Sequence, residues 1–141
     1  EICAKLSGKV SDSKVFFYMD TLEYLRKGGR IGGVASVAGS LLKIKPIISC
    51  NEEGSYYTVE KIRGAKAGKE KLLHHVEAFC GGRPALLALM NGGAQEEAAA
   101  IKPILKKIIK QGKIVAEDQI TATLAINTGP GLVGIGILVD P

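Results

Sequence analysis

Apolar positions along the chain fall into two periods, and they alternate often enough to predict a layered α/β domain. Val15–Met19 is a short continuous apolar run and reads as a buried strand. Pro46–Cys50 and Tyr56–Ile62 flank Asn51-Glu52-Glu53-Gly54, which predicts a hairpin with a loop of four or five residues. Ala65–Phe79 carries Leu72, Val76 and Phe79 at helical spacing. Ala85–Met90 is apolar at every position, as a central strand buried on both faces would be. Ala94–Lys110 reads as a helix through Ala98, Ile101, Leu105 and Ile108, and Pro103 inside it predicts a kink or a split. Lys113–Ile120 alternates as a half-buried strand, and Leu132–Val139 closes the set. Six strands joined by helices of this length imply crossovers, a mixed sheet and a two-layer α/β domain with its helices on one face.

Between the first two strands, Asp20–Leu42 packs more information than any other stretch. Asp20 followed by Glu23 resembles a capping box that starts a short helix. Gly28-Gly29 should stop that helix, because glycine enters positive φ without a Cβ penalty. Arg30 follows the stop, where backbone geometry sets its direction. A second helix is expected from about Gly33, striped by Val34, Val37, Ala38, Leu41 and Leu42. The last strand has its own signature. Ile135, Ile137 and Val139 point one way, and Gly134, Gly136 and Leu138 the other, so something approaches one face closely. Before that strand, Thr128-Gly129-Pro130-Gly131 is a turn whose N–H groups are candidates for an anion nest, with Asn127 beside it as a capping or ligand-binding amide.

Composition narrows the picture. At 141 residues the chain is one domain with enough bulk for a core. It opens in what reads as a helix with no initiator Met, as a piece of a longer protein would. Cys3, Cys50 and Cys80 are odd in number and far apart, which argues for reduced thiols in a cytosolic protein and against a disulfide framework or zinc site. Adjacent His74 and His75 do not share a helix face, so no metal pair is expected. No apolar run reaches the length of a membrane span. The net charge of +5 is densest at Lys61, Arg63, Lys66, Lys69 and Lys71. That segment reads as a solvated face or a docking face for an acidic partner in preference to a nucleic-acid patch. No nucleophile–base motif is present, so a binding role is expected and not an enzyme.

Several segments carry a resemblance. Asp20–Arg30 with Ile31, DTLEYLRKGGRI, resembles the D-x-L-x-x-L-x-x-G-G-R-I motif of the DegV family. Gly39–Ile47, Glu60–Arg63 and Gly129-Pro130-Gly131 with the Gly134-Ile135-Gly136 strand are similar to further segments of that family, in the same order. The resemblance implies a fatty-acid-binding protein of two domains, of which this chain is the second, with a six-stranded mixed sheet. The first domain, whose Ser and Thr hydroxyls contact the carboxylate in the family, is then absent. No cofactor is implied; the ligand is a long-chain fatty acid such as palmitate, presented to a fatty-acid kinase subunit that phosphorylates it. Arg30 corresponds to the family arginine near the carboxylate, and Asn127 stands where many members have histidine, with Gly129 and Gly131 beside it. Leu22, Ile31, Leu41, Leu42 and Ile48 are the expected contacts for the acyl tail. The alternative is a regulatory or interaction module that docks protein or nucleic acid through residues 61–71.

Overall fold

The computed structural model describes residues 2–35, 44–63 and 65–141. Among them, in chain order, are α1 (Ile2–Ser7), β1 (Ser13–Tyr18), α2 (Glu23–Lys27), β2 (Ile44–Cys50) and β3 (Tyr56–Arg63). Next come α3 (Ala65–Cys80), β4 (Ala85–Gly92), α4 (Gln95–Ile108), β5 (Gly112–Gln119), α5 (Ala122–Thr128) and β6 (Leu132–Val139). The expected second helix in Asp20–Leu42, including Leu41 and Leu42, lies outside the described residues beyond Ala35.

The six strands form one mixed sheet in the order β3-β2-β1-β6-β4-β5. Only β4 and β5 run parallel, and they are the pair joined by a helix, α4. The last strand in sequence, β6, sits in the middle between β1 and β4. Such a position suits a strand with five buried aliphatic residues. The β2–β3 connection is the expected hairpin. Asn51 N–H donates to Ser55 O at 3.0 Å across a five-residue loop, and Gly54 turns the chain at φ +81°.

One face of the sheet is closed by helices. Phe16, Tyr18, Ile47, Leu87, Leu89, Val133, Ile135 and Ile137 project from the strands onto Leu72, Leu73 and Val76 of α3 and Ala98, Ile101 and Leu105 of α4. Each fully buried aliphatic of this kind contributes roughly 1.5–3 kcal/mol relative to exposure. Tyr18 is fully buried, and its phenol donates to Glu97 Oε1 at 2.6 Å, which ties the end of β1 to the start of α4. Burial, with the Glu97 carboxylate beside it, raises its pKa far above the ordinary tyrosine range.

Two expectations are corrected. Pro103 does not split the helix, because α4 runs unbroken from Gln95 to Ile108 with Pro103 exposed on its outer side. β5 is not a regular half-buried strand. Its register with β4 shifts at Leu87/Ala88, where Leu87 faces Ile114 and Ala88 faces Ala116, so Val115 is an extra residue, 54% exposed. As an edge strand bent by this bulge, β5 loses its alternation and is exposed along most of its length.

Candidate site on the second sheet face

The second face is built differently. Phe17 and Met19 from the β1 end, Ile48 from β2 and Leu132 from β6 meet Leu25 of α2 and Val34 in a small buried cluster. Val15, Leu22, Ile31, Tyr56 and Ile120 are half-buried around it. Phe17 and Tyr56 pack edge to face with ring centroids 5.4 Å apart. Of the expected tail contacts, Leu22, Ile31 and Ile48 thus come together here, with Ile48 fully buried. Further along, the face flattens. Gly134 lies opposite Phe17 in β1, and a Cβ built there would stand 3.2 Å from the Phe17 Cβ. Gly136 lies opposite Ala88 in β4, with 3.7 Å from an added Cβ to the Ala88 Cβ. Beyond it, Val15 and Leu138 open into a cleft of about 580 Å³ shared with Leu6 and Val10. Exposed Ile2, Leu6 and Val10 leave this end strongly apolar.

Arg30 stands at the opposite end, and its position follows from how α2 ends. Gly28 is the last αR residue and Gly29 takes φ +69°. Gly29 N–H donates to Arg26 O at 3.1 Å and Arg30 N–H to Leu25 O at 2.8 Å, the paired closing bonds of a Schellman motif. Arg30 is exposed, and its Nη1 donates back to Gly28 O at 2.6 Å. A guanidinium held in this way at a helix C-terminus complements the negative end of the helix. It also acts on Tyr56, whose phenol is pushed upward first by burial and then by Cys50, with Arg30 opposing.

Asn127, from α5, reaches the same place. Its Nδ2 donates to Thr123 O at 3.2 Å. Its Oδ1 lies where a Cβ on Gly28 would approach to 2.2 Å, so the missing side chain at 28 gives the Asn127 amide the place it takes. Arg30 and Asn127 are therefore neighbours through Gly28. The glycines of the following turn carry out a different task from the one expected. Gly129 N–H already donates to Ala125 O at 2.8 Å, and Gly131 N–H to Gly92 O at 2.7 Å. They are not free to make an anion nest. What they supply is space: a Cβ on Gly129 would come within 2.3 Å of the Tyr24 ring, and one on Gly131 within 2.1 Å of the Asp20 carboxylate. Both have positive φ, +71° and +85°.

A family model described as "Uncharacterised protein, DegV family" matches residues 1–140. The chain belongs to the DegV family. A DegV domain-containing protein of Clostridium acetobutylicum is 38% identical over 136 residues, covering 96% of this chain and 48% of that protein. One from Clostridium perfringens is 41% identical over 129 residues, covering 86% and 43%. Among solved structures, a DegV-family protein from Thermus thermophilus, described by its fatty-acid binding, is 28% identical with a TM-score of 0.85, over 98% of this chain and 49% of that one. The fatty-acid-binding DegV-family protein of Streptococcus agalactiae is 26% identical with a TM-score of 0.86, over 99% and 49%. The DegV-family chain spans about half the length of the curated relatives it matches.

Three features of this end could not be read from spacing. Asp20 does not cap α2. The N-cap position is Leu22, without a side-chain bond, and Thr21 Oγ1 instead accepts from Glu23 N at 3.2 Å. The Asp20 carboxylate pairs with Lys45 Nζ at 2.5 Å. Tyr24 had no signal beyond being aromatic, and its use as the cover of Gly129 is a tertiary fact. Elsewhere, His75 is occupied: its Nε2 lies 2.8 Å from Glu60 and its ring stacks on Phe16 at 5.8 Å. No group of three or more His, Cys, Asp or Glu able to hold a metal ion occurs among the described residues. No described helix is long and apolar enough to cross a membrane. The basic segment is partly neutralised, since Lys71 Nζ sits 2.6 Å from Glu60 and, with His75, holds that carboxyl below its ordinary range.

Proposed function

We propose that this chain supplies one half of a fatty-acid-binding site, with Arg30 at the polar end and the second sheet face as the apolar wall. The observation that supports the reading is that a Schellman turn sets Arg30 in sequence beside Ile31 and bonds its N–H to Leu25 O, Leu25 being part of the Phe17–Met19–Ile48 cluster and Ile31 packed on it, with the guanidinium on Gly28 O. A planar fork suits a carboxylate because it donates two parallel hydrogen bonds. Burying the tail of a long-chain acid such as palmitate, at ~0.8 kcal/mol per CH₂, supplies on the order of 10 kcal/mol before association costs. Affinity then resides in the apolar wall and orientation in the polar end. Fatty-acid binding by solved relatives of 26% and 28% identity supports the ligand class.

The first domain of a family-length protein provides the other wall and the hydroxyls at the carboxylate. The isolated chain accordingly binds poorly and self-associates through its uncovered face. Presentation of the bound acid to a kinase subunit that phosphorylates its carboxylate completes the reading, and the motif resemblance supports it. Leu41 and Leu42 belong to the tail contacts on the same ground. Asn127 takes the place of a histidine, so it can hydrogen-bond a carboxylate but carries no proton between groups at neutral pH.

The test uses the family-length protein. Organic extraction and mass spectrometry of protein purified from several hosts should return long-chain fatty acid, and Arg30→Ala should lower retention of palmitate. Empty protein from every host rejects the ligand class. Formation of acyl phosphate only when a fatty-acid kinase subunit and ATP are both added tests the partner.

A further inference from the structure

We propose that Asp20 and Lys45 form a clasp across the neck of the 20–45 segment, and that this clasp, seated on Gly131, positions Arg30. The role given to Arg30 rests on the fatty-acid reading above; the clasp itself rests on geometry. Backbone pairing between β1 and β2 includes Phe16 with Ser49 and Phe17 with Ile48. Continuing that antiparallel register places Asp20 directly opposite Lys45, beyond the last described pair. The two strands separate there to release the segment that carries α2 and Arg30. A cross-strand ion pair at that point closes the neck by side chains where no ladder bond does. The Oδ1–Nζ separation is 2.5 Å, and the Lys45 side chain is only 21% exposed. The Asp20 side chain is 57% exposed, so solvent screens the pair in part and its energy stays in the range of partly exposed pairs.

The clasp has a seat. The Asp20 carboxylate lies so close to Gly131 that an added Cβ would stand 2.1 Å from Oδ2 and 2.3 Å from Cγ. Gly131 in turn is fixed to the end of β4 by its N–H to Gly92 O bond of 2.7 Å. One carboxylate therefore joins the ends of β1 and β2 to the turn before β6. Asn127 and Tyr24 close the same junction from above, against Gly28 and Gly129. Asp20 is also spared from helix capping, since Thr21 bonds the Glu23 N–H. Its charge is left to the neck. Asp20 and Lys45 are thus positioning residues, acting on a ligand through the segment they close.

Two readouts on the family-length protein test this: amide hydrogen exchange over residues 22–31, and affinity for cis-parinaric acid, a fluorescent fatty acid. Asp20→Asn and Lys45→Met should each speed exchange over 22–31 while β4 and β6 keep wild-type protection. Each should weaken cis-parinaric acid binding about two- to fivefold, the range of a partly exposed pair. The double variant should be no worse than either single one, because both break one interaction. Wild-type exchange over 22–31 in both variants overturns the clasp. Faster exchange with full affinity overturns its positioning role. Wild-type protein that binds no cis-parinaric acid rejects the lipid reading, and the exchange arm still decides the clasp.

Discussion

Ile47 and Ile48 are adjacent, identical and both fully buried, yet they belong to different halves of the molecule. Ile47 belongs to the core that α3 and α4 close over one sheet face, together with Phe16, Tyr18 and buried aliphatic side chains. Ile48 faces α2, Met19 and Phe17, in a cluster that ends in glycine, alanine and an open cleft. The first face satisfies the demands of folding and has nothing left to offer. The second is only partly covered, and its floor carries Gly134, where a Cβ would crowd Phe17 at 3.2 Å, and Gly136, where a Cβ would meet only an ordinary contact. The difference teaches that one sequence can close one sheet face with aliphatic and aromatic side chains and leave small residues on the other, beside glycines at 28, 129 and 131 that give room to Asn127, Tyr24 and Asp20.

The largest expected effects test whether that division is real. Ile47→Ala should cost about 2–5 kcal/mol in chemical denaturation, as expected for a cavity in a closed core. Ile48→Ala should cost less, because its cluster borders a cleft into which neighbours can relax, but it should reduce fatty-acid retention where Ile47→Ala does not. Equal stability losses with equal retention would erase the distinction between the faces. Next in size, Gly129→Ala should destabilise by about 1–3 kcal/mol from its positive φ alone, with the Tyr24 ring adding to the cost. Tyr24→Ala in the same chain should recover the steric part and leave the backbone part, so denaturation midpoints of the pair should be non-additive.

Smaller effects sharpen the comparison. Gly136→Ala meets only an ordinary contact at 3.7 Å, so it should raise stability by about 0.5 kcal/mol through lower chain entropy. If the flat floor carries the ligand, the same change should weaken binding of long acids. Smallest of all is the surface pair on the helix side. Lys71 first, then His75, hold the Glu60 carboxyl below its ordinary 4.5. A depressed carboxyl contributes stability above its unfolded value and loses it as pH falls through the folded one. Thermal melts should therefore show Glu60→Gln slightly less stable than wild type at neutral pH. The gap should close under acid conditions, and at this exposure it stays well under 1 kcal/mol.

Much of the architecture was legible because it is local. Continuous apolar runs and a polar loop between two of them marked the strands, helical spacing marked α3 and α4, and Gly28-Gly29 marked the end of α2, since each pattern is imposed by backbone geometry a few residues long. Arg30 was legible for the same reason. The errors share one cause. A split at Pro103 and an alternating β5 do not occur, because spacing cannot register that the helix continues through Pro103 or that an extra residue bulges at Val115. Asp20 offered the chemistry of a cap, and its helix was the nearest taker in sequence.

What the sequence by itself determined is therefore the six strands and the helices α2, α3 and α4, though not α5, together with which face of β6 is smooth and where a guanidinium leaves a helix end. Only the tertiary structure decided that β6 lies at the centre, that Asp20 faces Lys45 and not its own helix, and that Gly28, Gly129 and Gly131 give room to Asn127, Tyr24 and Asp20. The physical reason is distance along the chain. Dihedral preferences and caps act within a turn or two, whereas an ion pair across a neck or a ring over a glycine exists only once remote strands have been brought side by side.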